Sequence, residues 1–444
     1  MTLASFLRVA ALVALFSAPA LAGSEVRVAD NVFVVPDANA PAVQFTMIIK
    51  AGCNDEPHAN CHGLAHYLEH LVFLGRNADH KAVAARFFAD AETNGWTNER
   101  ATVFWQKFPA RPEGQTGDVE KLFRFYAEHL QKLDVGEEEA VRELKVVQQE
   151  YAMRVGRSPG RGFYSGINRM LFPAHPHGQD AIGKKEEIAA LTLGEARDFH
   201  KTWYTRSNAV FVIHGPVDVE AMRTLAAQYI TALPDTSVPE KGWRNALFDF
   251  SPMDETVRGS DKDMRETFAG VSRVVRMEEP NRRRAAPARA IASAYLASSL
   301  AGSPKEVLVD QKEVAEAIAS AGISRLEAGA LEASLSVKAK AGVAEDRIIA
   351  EIKSYLAGLA ETGLPAATVE RLKKRIADAR AQSAKEPQQV AQSLVDWLAG
   401  LNSYQDWLDR DKDLAAVEAA DVNAILKAIG QTGRQIASVL SPAP

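Results

Sequence analysis

Cysteine is almost absent from this chain: Cys53 and Cys61 are the only two in 444 residues. Two thiols cannot build a disulfide-dense scaffold, and their spacing is not the C-x-x-C of a thiolate metal site. Histidine is absent from the second half, since all ten lie between His58 and His214. Chemistry that needs imidazole is therefore confined to the first half. Basic residues are not in excess, with 52 Lys and Arg against 57 Asp and Glu and a net charge of -5. The chain thus has no electrostatic footprint for nucleic acid. The arginine-rich run Asn281-Arg-Arg-Arg284 reads as a solvated turn.

The start of the chain stands apart from the fold. Residues 1–8 are weakly basic, 9–21 are mostly apolar, and Ala20-Leu-Ala22 is a small-residue cleavage pattern. These are the three parts of a secretory signal. The apolar run is short and broken by Pro19, too short to span a bilayer in the mature protein. Residues 1–22 are read as a signal peptide cleaved near Ala22, with an uncleaved anchor as the alternative. The remainder is expected to be exported, in a bacterial cell to the periplasm. In that oxidising compartment Cys53 and Cys61 are expected to pair in a disulfide, with metal ligation as the weaker alternative.

What is present is concentrated in residues 61–75, CHGLAHYLEHLVFLG. His66, Glu69 and His70 spell H-x-x-E-H, the inverse of the commoner H-E-x-x-H. Positions i and i+4 of a helix share a face, so two imidazoles can reach one metal. Glu69 then stands beside them to hold and deprotonate a zinc-bound water. A surface helix with two unrelated histidines is the alternative, and the confinement of histidine to this half argues against it. Catalytic zinc takes three protein ligands, so a third must come from elsewhere. Residues 134–150 supply one: Asp134 and Glu137 read as an N-cap and its capping-box partner, and the glutamates after Gly136 suit a positive helix end. Glu143 and Glu150 lie about two turns apart and share a face. Glu150 is the expected third ligand and Glu143 the group that orients a ligand histidine or the metal water. Two ordinary solvated carboxylates are the alternative.

With 47% hydrophobic and 25% charged residues the chain is globular in composition and long enough for two domains. Residues 26–35 and 42–51 alternate as paired strands, turning at 36–41. Helical periodicity recurs at 81–92, 117–132, 137–155, 193–203 and 219–233, with strands at 102–108 and 209–214. Residues 234–243 are polar, contain proline and suit a linker. The second half repeats the order: strand 268–277, an Ala-rich helix 287–301, a strand near 333–339, helices 345–361, 365–384 and 388–401, and a closing strand 434–440. The expectation is an α+β fold of two similar domains, each a mostly antiparallel sheet packed with helices. The first, 23–235, carries the metal; 236–245 is the linker; the second, 246–444, has no metal site.

Together these features resemble the pitrilysin and insulinase-type zinc metallopeptidases, the inverzincins, especially shorter members like the catalytic subunit of mitochondrial processing peptidase. Ala51-Gly-Cys-Asn-Asp-Glu-Pro57 resembles the family's strand end before the zinc helix, and residues 63–75 are similar to that helix. Asn94-Gly-Trp-Thr97 and residues 101–105 resemble its N-A-x-T segment and following strand. Glu143 and Glu150 match its paired glutamates. His175-Pro-His-Gly178, Gly183 and residues 203–209 match later landmarks. The resemblance implies one half of a clamshell, Zn²⁺ on His66, His70 and Glu150, and a peptide substrate added as a strand near Asn94, Gly95, Trp96 and Thr97. Trp96 and Trp105 are side-chain pockets or plain core. The implied function is zinc-dependent endopeptidase or oligopeptidase, with Glu69 as general base; the alternative is a catalytically weak or inactive structural subunit. Shorter members carry L-R-E-K-R-G-L-A-Y in the metal-free half, whose Arg and Tyr hold the substrate backbone. Here residues 308–316 place Val309 and Glu316 there, and neither can do that work. A different substrate grip, or a homologous metal-free partner in a heterodimer, is then implied; a homodimer is the other assembly.

Overall fold

The structure, a computed structural model, describes residues 25–57, 61–75, 91–111, 115–155, 160–173, 175–246, 248–277, 282–326, 329–431 and 433–443. The signal segment expected over 1–22, and nearly all of the helix expected over 81–92, lie outside these residues; Glu92 itself opens a strand.

Among the described residues, β1 (Val26–Ala29), β2 (Val32–Pro36), β3 (Ala42–Ile49), β4 (Glu92–Thr97), β5 (Thr102–Pro109) and β6 (Ala209–Gly215) form one sheet, ordered β1-β2-β6-β3-β5-β4. A second sheet contains β7 (Met253–Asp261), β8 (Phe268–Arg276), β9 (Ala315–Arg325), β10 (Ala330–Ala339) and β11 (Arg434–Pro442), ordered β7-β11-β8-β10-β9. Leaving out β1, both sheets follow one order: first strand, last, second, fourth, third. In each, first and last strands are parallel and the other pairings antiparallel. The repeat is therefore one of topology, and the fold is α+β with two like sheets.

The sequence reading pairs residues 26–35 with 42–51, but β6 lies between β2 and β3. The reason is burial. Every residue of β6 is buried, and a strand apolar on both faces belongs in the middle of a sheet covered on both sides.

The first half carries helices α1 (Leu64–Leu74), α2 (Gln115–Gln131), α3 (Glu137–Arg154), α4 (Arg161–Leu171), α5 (Lys185–Ala190), α6 (Leu193–Trp203) and α7 (Val219–Leu225). The second carries α8 (Arg282–Leu296), α9 (Glu345–Thr362), α10 (Ala366–Ser383), α11 (Pro387–Ala399), α12 (Tyr404–Ala415) and α13 (Ala419–Ile429). One face of the first sheet, with Phe45, Met47, Phe104 and Phe211, packs on α1, α2 and α6 of its own half. The other face, with Ile48, Val103, Val210 and Val212, is covered by Val390, Leu394 and Leu398 of α11, from the second half. The exchange is mutual, because Ile167 and Leu171 of α4 join Val274, Ala330 and Ile436 of the second sheet.

Two local expectations change. Residues 282–284 of the arginine run open α8 instead of forming a turn, with Arg283 against Asp409 and Arg284 against Asp421, while 281 lies outside the described residues. The helix expected over 219–233 widens after Leu225 into a π turn, Ala226–Thr231.

Candidate active site

α1 is anchored at its start by groups that the chain brings from several directions. Gly63 adopts φ 87°, a left-handed conformation that favours glycine. Ahead of it Glu56, buried, accepts from the backbone N–H of His62 (2.6 Å) and Ala65 (2.9 Å), satisfying donors that open a helix. Burial raises the Glu56 pKa to about 8 against those hydrogen bonds. Cys53 and Cys61 are bonded to each other across this loop. Asp55, between them, is buried and accepts from Lys241 Nζ (2.7 Å), Trp243 Nε1 (2.8 Å) and the Gly52 N–H (3.1 Å). The segment expected as a linker is thus pinned to the loop that feeds the helix.

α3 docks against α1 where the Tyr67 hydroxyl donates to the Ala140 carbonyl at 2.8 Å. The N-cap of α3 is Gly136, whose N–H donates to Glu139 at 3.1 Å. The expected cap, Asp134, lies too early in the chain and pairs with Lys132 instead. The docking brings His66 and His70 of α1 to Glu150 of α3: Glu150 Oε2 is 3.2 Å from His70 Nε2 and 3.5 Å from His66 Nε2. One donor atom from each of the three lies within 4.8 Å of the others. Glu143 Oε1 accepts from His70 Nδ1 at 2.7 Å, which leaves Nε2 facing inward. Two imidazole nitrogens and one carboxylate oxygen suit a metal such as zinc and leave a tetrahedral position open.

Electrostatics divide these groups. Burial, with the neighbouring His70, lowers His66 to about 4 and keeps it neutral. Burial also opposes charge on His70, but hydrogen bonds to Glu143 and Glu150 prevail and raise it to about 9. The hydrogen bond with His70 holds Glu150 well below the usual carboxylate range. Glu69 is buried beside them, and burial raises it to about 7 against a hydrogen bond from the Thr97 hydroxyl, 2.6 Å from Oε2.

The segment read as substrate-binding touches Glu69. Thr97 holds one oxygen of Glu69. A Cβ on Gly95 would lie 2.9 Å from the other, so glycine keeps that space open. Trp96 is half-buried and packs against the cluster under α11. The Asn94 side chain accepts from the Gly95 N–H at 2.8 Å. β4 is the sheet's edge, and its outer side is unpaired among the described residues.

In the second half, Leu308 is core, Val309 packs on that core and Glu316 pairs with Lys338 at 2.8 Å. His175 stacks on Phe248, and His177 lies 3.7 Å from Glu332 of β10. Gly183 is needed where its chain crosses His62, since a Cβ there would meet the His62 carbonyl at 2.4 Å. The role of Thr97 and the pairing of Arg154 with Glu150 escape the sequence reading. Only the second had a local signal, the i, i+4 spacing.

Residues 31–157 match the family model described as Insulinase (Peptidase family M16), and residues 190–376 match that described as Peptidase M16 inactive domain. The chain belongs to peptidase family M16. Relatives in the family include the Zinc protease PqqE of Helicobacter pylori, 25% identical over 208 residues, which are 46% of this chain and 45% of that protein. The Probable mitochondrial-processing peptidase subunit beta of Schizosaccharomyces pombe is 25% identical over 223 residues, 49% of this chain and 47% of its own. The match to each curated relative thus spans less than half of that relative. Among solved M16-like folds, the crystal structure of a protease from Helicobacter pylori aligns with a TM-score of 0.75 at 18% identity, covering 94% of this chain and 99% of its own. A putative M16-like peptidase from Alicyclobacillus acidocaldarius aligns with a TM-score of 0.75 at 20% identity, covering 94% and 98%. The fold is that of an M16 clamshell half.

Proposed function

We propose that this M16 chain is a zinc-dependent peptidase that hydrolyses extended peptides, with His66, His70 and Glu150 holding the ion and Glu69 as general base. The observation that carries the reading is the placement of a buried carboxylate, Glu69, with its pKa near neutrality, beside a cluster of three metal-suited donors. Zinc, when bound, would supply Lewis-acid polarisation and lower the pKa of a water that it holds.

The protein's own groups do the rest. Glu69 takes a proton from the attacking water and delivers it to the leaving amine, while Thr97 holds one of its oxygens. Glu143 keeps the proton of His70 on Nδ1 and aims Nε2 inward. β4 meets Glu69 through Gly95 and Thr97, and its outer side, unpaired among the described residues, suits an extended peptide paired through its backbone.

The family model described as an inactive domain, together with Val309 and Glu316, supports a second element of the proposal. A homologous metal-free chain supplies the missing substrate grip across a shared chamber. Export to the periplasm rests on residues 1–22, and cell fractionation tests it: precursor-sized protein confined to the cytoplasm rules it out. The functional test uses zinc-loaded protein on unstructured peptides, alone and with any co-purifying chain. Cleavage is expected to be weak alone and to rise with the partner, and Glu69→Gln should keep zinc but lose at least about a hundredfold. Zinc-loaded protein that cleaves no peptide in either state overturns the peptidase reading; full activity alone overturns the partner.

A further inference from the structure

A metal ligand works only when something holds it in its productive orientation. Glu143 does this for His70. The two oxygens of Glu150 are divided in the same way. Oε2 faces both histidine Nε2 atoms, and Oε1 is held by the guanidinium of Arg154, one turn further along α3.

We infer that Arg154 is a positioning residue of the metal site, holding Oε1 so that Glu150 offers the ion one oxygen, Oε2. The inference rests on the zinc reading above. Arg154 makes no other ion pair or side-chain hydrogen bond among the described residues. An i, i+4 pair on a solvated helix face does little for stability, and this chain has one in Lys374 and Asp378, both largely exposed. Glu150 differs, because its side chain is 22% exposed and its second oxygen is committed to two imidazoles. A planar, always-charged fork is also better suited than an ammonium to fix a carboxylate's rotation. Arg154 and Glu143 thus act as a pair, each orienting one ligand from α3.

The test is zinc affinity, by competition with a chelator, together with the visible absorption of the cobalt-substituted protein. Arg154→Ala should weaken zinc binding by about ten- to a hundredfold and alter the cobalt spectrum. Arg154→Lys should recover part of the affinity, and Arg142→Ala, an exposed arginine on the same helix, should change neither. Unfolding of metal-free Arg154→Ala should match wild type. Wild-type zinc affinity and cobalt spectrum in Arg154→Ala overturn the inference. A wild-type chain that binds no zinc overturns the zinc reading and the inference with it. A chain that binds zinc and responds to Arg154→Ala, yet cleaves nothing, overturns only the peptidase reading.

Discussion

At the scale of single residues, the three donor groups hold different protons before any ion is bound. His66 is neutral, Glu150 is ionised, and His70, with its pKa raised to about 9, carries an extra proton at neutral pH. Its Nδ1–H stays with Glu143, so zinc must displace the proton on Nε2. Between the Glu69 value of about 7 and the His70 value of about 9, zinc binding should release about one proton per chain. The release should fade as pH rises past the His70 value, because His70 has by then lost that proton. Calorimetry in buffers of different ionisation heat measures it, and a binding heat independent of buffer contradicts the assignment. The shared face of His66, Glu69 and His70 was legible in the sequence because helical spacing is local, whereas Glu150, 80 residues beyond His70, was expected from its spacing with Glu143 and from the family resemblance. Thr97 as a partner of Glu69 was not, since it depends on how a strand 28 residues away docks on α1.

At the scale of elements, α1 owes its placement to the loop before it, and that loop to a segment far along the chain. Asp55 is fully buried and Lys241 nearly so. Burial raises the pKa of Asp55 and lowers that of Lys241 in spite of their mutual attraction. Removing one partner then leaves the other charge buried without its counter-charge. Lys241→Met should destabilise the protein by about 3 kcal/mol, read from urea unfolding; a change within experimental error contradicts the latch. The Cys53–Cys61 bond was expected from the sequence, but the joining of Asp55 to Lys241 and Trp243 was not, because those partners lie 186 and 188 residues further on and only the fold brings them together. Strong periodicity made α2, α3, α6, α9 and α10 legible to within a few residues. β9 was not, because Ala-Ile-Ala-Ser-Ala-Gly at 317–322 has little of the β-branched and aromatic content that marks a strand.

At the scale of the molecule, the two sheets share one strand order, yet each is covered on one face by a helix from the other half. A cut between 235 and 246 would separate the sheets but would strip α11 from the first and α4 from the second. Element order in the sequence revealed the repeat. The exchange of helices stayed hidden, because an amphipathic helix does not say which sheet it covers. α1 and α3 bring His66, His70 and Glu150 together, and the central proposal is that these three hold a metal ion. Zinc content of Glu150→Ala, measured beside wild type and Glu69→Gln after dialysis, tests it most directly. About one zinc per chain is predicted for wild type and Glu69→Gln, and none retained by Glu150→Ala. Stoichiometric zinc in Glu150→Ala would contradict the site.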